Sequence, residues 1–507
     1  MSQPNMLKLD DRGYRDSFKT SVILGGSQGS TYILGIIRTK ALAYLLGPAG
    51  IGMVGLYTSI LGTVGTFSGF GIGESGIREI AAARGNENID RLSRTVMIVR
   101  RSCLVSGVLG LILCVVLANP LSLQMFGNSE HAVAISVLGF TLLTGAIGGG
   151  ENALLQGSGR FTALAKMNIF SSLAGILPVV LIYVWFREKG IVPALLLSSV
   201  VTLLITWYFS RSIRLSQVHM SWREMIPETK ILLSLGFAFM MTGLVGTGKD
   251  MIIRSMITKT HGIEATGLYQ SAWAISGLFV NFVLRAMGMD FYPRLTAMNG
   301  DRKAMIKAVN QQIEIGVLLV IPGVLATITC APLVLTLLYT SKFASASGLL
   351  AVLSCGVFFK IVSYPINTIQ LAMGDARGFA SVAVLLALVE TAMTVVLLNR
   401  FGLIGAATAF PVACFIHILA MAFVGHRLIQ YKINRTTGTL ALTAILMVMV
   451  SLLVAFSLKG YTSLLTGFVL TFISLCYSIR ELAKRLGRDH RISRIIMRLP
   501  IARFLIG

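Results

Sequence analysis

Two runs, LLLSSVVTLLITWYF (Leu195–Phe209) and LTAILMVMVSLLVAFSL (Leu442–Leu458), carry no charged residue and no alternation of apolar with polar positions. A bilayer core about 30 Å thick needs about 20 mostly apolar residues per helix, whereas a spanning strand alternates with period two over about 10 residues. Unbroken runs of this kind admit only helices, because in hydrocarbon every backbone N–H and C=O must be satisfied inside its own segment. The rest of the chain agrees. Of 507 residues 55% are hydrophobic and 13% charged, against about 25% charged in an ordinary soluble domain. The expected fold is an all-α polytopic membrane protein of about fourteen transmembrane helices.

Fourteen spans divide the chain into a cytoplasmic N-terminal arm (1–17), an N-lobe of six helices (18–213), an inter-lobe loop (214–230), a C-lobe of six helices (231–430), an extra helix pair (437–479) and a basic tail (480–507). The net charge of +23 is then a topology signal and does not mark a nucleic-acid partner, since Lys and Arg gather in loops on one side. That side is cytoplasmic by the positive-inside rule. Both termini are expected there, in a multi-pass protein. Residues 1–17 are polar and lack a cleavable signal pattern, so the first span is expected to stay in the protein. The six cysteines fall in or beside apolar spans without CxxC or His pairing, and read as small hydrophobes with no metal site.

The chain also repeats itself. GIGMVGLYTS (Gly50–Ser59) returns 212 residues later as GIEATGLYQS (Gly262–Ser271). QGSGRF (Gln156–Phe161) is answered by MGDARGF (Met373–Phe379), and KGIVPALLLSSV by FGLIGAATAFPV. Three similarities in one order at nearly one offset imply duplication of a six-helix unit. Because six is even, both copies enter the membrane from the same side, which makes them parallel repeats of the kind that hold substrate between halves. The glycines of the repeated phrase suit close helix approach.

The stretches RTKALAYLLGPAGIGMVGLY, GESGIREIAA, FYPRLTAM and GLIGAATA resemble the Wzx-type O-antigen translocases, polysaccharide flippases of the multidrug/oligosaccharidyl-lipid/polysaccharide superfamily that include the lipid III flippases of enterobacterial common antigen. The resemblance spans about residues 20–430. Many Wzx members have twelve helices, and the pair at 437–479 is similar to the extra pair of fourteen-helix lipid II flippases. The resemblance implies a non-enzymatic transporter in a bacterial inner membrane that moves an undecaprenyl-pyrophosphate-linked oligosaccharide, an O-antigen or related unit, from the cytoplasmic to the periplasmic leaflet by alternating access. It implies membrane lipids as surroundings, with a polysaccharide polymerase or glycosyltransferases as further partners.

Charges at bilayer depth cost at least about 2.5–3.5 kcal/mol on insertion scales and mark candidate sites. Arg38 lies about 30 Å along its helix and Lys249 about 27 Å along its own, counted at the helical rise, and the repeat maps position 38 to 250. The two suit a pyrophosphate clamp, with snorkelling to the interface as the alternative. Lys360, about 20 Å from the outer end of its helix, should face a cavity or an acidic partner, Glu390 being nearest in sequence. Arg285 completes the substrate-binding candidates; Lys40 reads as interfacial. Glu151, Asp250, Asp290 and Glu390 are the candidates for ion coupling, since burial raises a carboxylate's pKa toward the proton-exchange range. Asp250 with Arg254 and Glu74 with Arg78 are spaced i,i+4 and can simply pair. No cofactor is expected, and H⁺, Na⁺ and no coupling stay open.

GLVGTGKD (Gly243–Asp250) falls short of a Walker A loop because Asp250 stands where a Mg²⁺-binding hydroxyl is required and the segment lies in an apolar span. GGGEN (148–152) has no GxGxxG frame. Two other functions remain. A MATE-like cation-coupled drug exporter would favour acids in its cavity. A polytopic glycosyltransferase or ligase would need a larger outer loop than 119–131. The repeat ends at the twelfth helix, so the last pair is expected to be dispensable for the two-lobe core. RISRIIMRLPIARF, in the tail, reads as an interfacial helix on an anionic leaflet.

Overall fold

The computed structural model describes the backbone of residues 5–486 except 86–88, 214, 219 and 459–460, and side chains from residue 25 onward with gaps that include Arg285 and Asp290. The tail segment RISRIIMRLPIARF lies outside the described residues. All regular structure among the described residues is helical: α1 (Asn5–Gly69), α2 (Ile72–Gly85), α3 (Ile89–Val116), α4 (Ala118–Phe126), α5 (Ala132–Gly157), α6 (Phe161–Phe186), α7 (Ile191–Ser210), α8 (Trp222–Ala297), α9 (Arg302–Thr329), α10 (Ala331–Leu338), α11 (Ser347–Ala372), α12 (Ala376–Ile429), α13 (Arg435–Ser457) and α14 (Tyr461–Leu486).

Ten helical stretches among the described residues are long and apolar enough to cross a membrane. Four of them, of 45, 50, 47 and 53 residues, are about twice the length one crossing needs at 1.5 Å per residue. Each of the four holds an internal break. Gly47 (φ 65°) interrupts α1 just before Pro48, which has no N–H to continue the ladder. Gly262 (φ 87°) interrupts α8, and Gly402 (φ 63°) interrupts α12. A 3₁₀ turn, Arg187–Gly190, separates α6 from α7. Helix continues to the Gly47 break and then to Gly69. There the left-handed pair Phe70 (φ 46°) and Gly71 (φ 62°) turns the chain into α2.

The order of elements repeats along the chain. Helix α3, of 28 residues, ends in the short α4 and is followed by α5, of 26. Helix α9, of 28 residues, ends in the short α10 and is followed by α11, of 26. Both second helices close on a glycine with positive φ, Gly159 and Gly374, inside the matched stretches QGSGRF and MGDARGF. The break at Gly190 and the kink at Gly402 fall in the third matched pair.

The chain folds as two compact units, residues 1–259 and 260–507. The first half of α8 belongs to the first unit. In that unit α3 and α5 approach until side chains become an obstacle: a Cβ on Gly107 would come within 3.0 Å of Leu143 Cα, and one on Gly139 within 2.8 Å of Cys114 Cβ. Lacking a hydrophobic driving force between helices in lipid, such pairs gain from close packing of small residues. At one end of the unit Ile72, Ile80, Val96, Val99 and Leu154 form a core with Met220 and Met225. The connecting segment before α8 is fastened to α3. The Ser216 amide donates to Ser93 Oγ (2.9 Å), Arg101 donates to the Met220 carbonyl (2.8 Å) and stacks on Trp222, and Arg94 pairs with Glu228 (3.2 Å).

A second seam runs inside the first unit. Thr63 donates to the carbonyl of Thr247 (3.2 Å) and Arg254 to that of Gly55 (3.3 Å), while a Cβ on Gly243 would reach 2.8 Å from Thr66. Added at Gly236, a Cβ would overlap the carbonyl of Phe70, and at Gly71 that of Gly236. The partners descend on one helix as they rise on the other, so α8 lies antiparallel to the second part of α1 with backbones nearly touching at one end.

In the second unit α9 and α11 are the central helices, buried over most of their circumference. Helices α13 and α14 pack against α9. Thr437, Leu440, Ala441, Ala444, Val448 and Ser451 form the buried stripe of α13 at helical spacing. Glu314 of α9 accepts from Thr437 and pairs with Arg485 of α14 (3.4 Å). Asn310 of α9, 1% exposed, holds the 430–434 connection through the Lys432 carbonyl (3.2 Å) and the Asn434 amide (3.0 Å).

Candidate functional site

Arg38 lies on the first part of α1, half-buried, at a cavity of about 600 Å³ enclosed with α5, α6 and α7. Ligand pockets commonly occupy about 300–1,000 Å³. Its wall is unlike the apolar spans that supply it, because the serines, threonines and asparagines of the four helices converge there. Among the described residues Arg38 is the one charged residue in its lining. Asn152, Asn168 and the hydroxyls around them carried no sequence signal, since they are scattered over helices whose relative rotation is set only by packing.

Lys249 and Asp250, on the first half of α8, meet each other at 3.4 Å, with side chains 14% and 34% exposed. Asp250 thus reaches its sequence neighbour, and Arg254, the i,i+4 candidate, donates to Gly55. Glu151 on α5, 7% exposed, pairs at 2.7 Å with Arg100 of α3. Arg100 was not singled out in the sequence, being 51 residues away and near a helix end. Pairing is what a buried carboxylate requires, because an uncompensated charge at low dielectric costs several kcal/mol. The side chains of Arg285 and Asp290 lie outside the described residues.

In the second unit Lys360 is exposed on the surface of α11, and the histidine within electrostatic reach of it is His417 of α12. Glu390 is buried, 8% exposed. His417 went unnoticed in the sequence because nothing local marks it; the fold of α12 behind its Gly402 break brings it near Lys360. At the N-terminal end of α5, His131 stacks on Phe126 (3.8 Å between ring centres) with its Nδ1 2.8 Å from the Tyr57 hydroxyl. Burial pushes the His131 pKa below its ordinary value, against the opposing charge of Glu130. No group of three or more metal-ligating side chains occurs among the described residues.

Long apolar helices broken at glycines, a repeated helix order and a cation at a polar cavity define a polytopic membrane fold. Comparison with known proteins agrees. Residues 41–348 match the family described as polysaccharide biosynthesis protein, and the chain belongs to that family. It is 22% identical over 389 residues to the lipid III flippase of Escherichia coli (strain K12), covering 74% of this chain and 90% of that protein. Among solved structures it is similar to the lipid II flippase MurJ in an inward closed conformation, with a TM-score of 0.69 at 14% identity over 92% of this chain and all of that one. It is also similar to an inward-facing MATE multidrug resistance transporter of the MOP superfamily, with a TM-score of 0.65 at 18% identity over 82% of this chain and 96% of that one. At these identities the structural likenesses establish the fold.

Proposed function

We propose that the protein is a flippase that carries an undecaprenyl-pyrophosphate-linked oligosaccharide from the cytoplasmic to the periplasmic leaflet of a bacterial inner membrane, by alternating access of two six-helix lobes spanning the bilayer in fourteen crossings. The likeness to a lipid III flippase over nine-tenths of that protein supports the substrate class. What carries the reading in the structure is Arg38 at a pocket of hydroxyls and amides, an anion- and glycan-compatible surface at bilayer depth. Lys249 supplies a second cation, and guanidinium and ammonium groups suit phosphate as a planar fork and a compact charge. Arg285 and Lys360 remain further substrate candidates, and Glu151, Asp250, Asp290 and Glu390 candidates for H⁺ or Na⁺ coupling.

Export of cationic drugs fits less well. Glu151, the buried acid of this unit, already holds Arg100, so it is compensated and offers little to a cation. Translocation needs no covalent step and no catalytic residue is assigned. The test is complementation of a strain lacking its flippase, with the leaflet of the accumulated lipid-linked glycan read by accessibility to a periplasmic ligase. Arg38→Gln and Lys249→Gln are expected to insert normally and to restore little transport. Full restoration by both variants at normal expression would rule out the pyrophosphate clamp, and failure of the wild-type chain on every glycan tried would rule out the flippase reading.

A further inference from the structure

The wall of the Arg38 pocket has more chemistry than an anion clamp needs. Thr31 donates its hydroxyl proton to the Ser27 carbonyl (2.9 Å), Ser172 to that of Asn168 (2.9 Å), Ser199 to that of Leu196 (2.8 Å), Thr202 to that of Ser198 (2.8 Å) and Thr206 to that of Thr202 (2.8 Å). A hydroxyl has one proton and two lone pairs. With the proton committed to its own helix, each oxygen turns only lone pairs to the cavity. The pocket is therefore a field of acceptors spread over α1, α6 and α7. Ser171 has a hydroxyl with no hydrogen-bond partner among the described residues, so it can donate as well as accept.

Donors are few. Arg38 brings five N–H groups in a fixed fork. Asn152 already accepts from Gln156 through its Oδ1, which leaves its amide N–H free to point inward. Among the described residues no carboxylate lines the cavity. A complementary ligand presents many hydroxyl donors along one side and an anionic group at the Arg38 end. That excludes a hydrocarbon chain, which would leave every acceptor unpaired, and disfavours a bare metal cation, which Arg38 would repel.

We infer that this pocket is a carbohydrate subsite for an acidic sugar, a uronic acid or a phosphorylated hexose, whose hydroxyls donate to the Ser and Thr oxygens and whose anion takes Arg38 in place of the pyrophosphate. The inference rests on the reading of the protein as a glycan-lipid transporter and adds which sugar it selects. The pocket belongs to the first unit alone, so it can hold the sugar whatever the second unit does.

The test is saturation-transfer NMR on the full chain in nanodiscs, with methyl glucuronide, methyl glucoside and sodium acetate as probes. Methyl glucuronide is expected to bind, methyl glucoside to bind more weakly, and acetate to give no signal. Arg38→Gln should weaken the glucuronide by about 10- to 100-fold, the value of charge-assisted hydrogen bonds, and Arg38→Lys should recover part of it. The pair Ser199→Ala and Thr202→Val should weaken both sugars, with thermal unfolding midpoints confirming that each variant is folded. Equal binding of glucuronide and glucoside, or of glucuronide and acetate, would overturn the assignment. So would a glucuronide signal that survives Arg38→Gln. Absence of sugar binding in a chain that still complements a flippase-null strain would remove this subsite and leave the flippase reading standing; binding without complementation would do the reverse.

Discussion

Replacing Gly236 by Ala should separate the two helices of the antiparallel seam. The new methyl would overlap the carbonyl of Phe70 and approach the carbonyl carbon of Gly71 at 3.1 Å. These are backbone atoms, so no side chain can swing aside, and Gly71 is itself fixed at φ 62°. Overpacking of a close interface costs about 1–3 kcal/mol. Against it stands the gain of about 0.5–1 kcal/mol for removing a glycine from a helix interior. The net expectation is a loss of about 1–2 kcal/mol. Gly246→Ala is the control, because it lies on the same helix and a Cβ there meets nothing within 4 Å; it should be neutral or stabilising. Both proteins would be heated in detergent and the folded fraction followed by size-exclusion chromatography, reading the order of their midpoints. A Gly236→Ala protein that melts with or above Gly246→Ala would refute the close seam.

Arg485→Ala removes the cation that meets Glu314, 13% exposed, while Thr437 still donates to that carboxylate; the expected loss of about 1–3 kcal/mol would be read as a lowered unfolding midpoint, and Glu314→Gln in the same background should recover part of it. Arg100→Gln leaves Glu151 buried without its partner, and a comparable loss, smaller than for a fully buried pair because Arg100 is 39% exposed, is expected by the same assay. His131 has its pKa lowered by burial, so its contribution to stability is complete above the unfolded value of about 6.5 and is lost as pH falls below it. The midpoint should therefore drop on acidification, and His131→Gln should flatten that slope; an unchanged slope would place the acid sensitivity elsewhere.

Helical class and duplication were legible because both are written in local sequence: apolar runs of span length, and a phrase that returns with its glycines. The breaks at Gly262 and Gly402 sit inside matched stretches for the same reason. The polar pocket was not legible. Its oxygens come from positions as far apart as Thr31 and Thr206, and no spacing rule links helices separated by loops. Arg38 could be found only because a cation in an apolar helix is conspicuous by itself. The partner of Glu151 escaped because pairing across helices depends on their rotation about their axes. The last helix pair, expected to be dispensable from the end of the repeat, is tied to α9 by Glu314, Thr437 and Arg485, a link separated by more than a hundred residues.

The equal lengths of α3 and α9, 28 residues each, and of α5 and α11, 26 each, carry a consequence for how such a gene can change. One added residue inside an α-helix turns everything beyond it by about 100°, so a single extra codon in any of the four would swing a packed face toward lipid. Substitution does no such damage, and the two copies have drifted far apart in residue identity. Length differences have accumulated instead in the connections: 127–131 joins α4 to α5, whereas the longer 339–346, with its own 3₁₀ turn at Ser341–Ala346, joins α10 to α11. The duplicated halves have kept their phase and lost their wording.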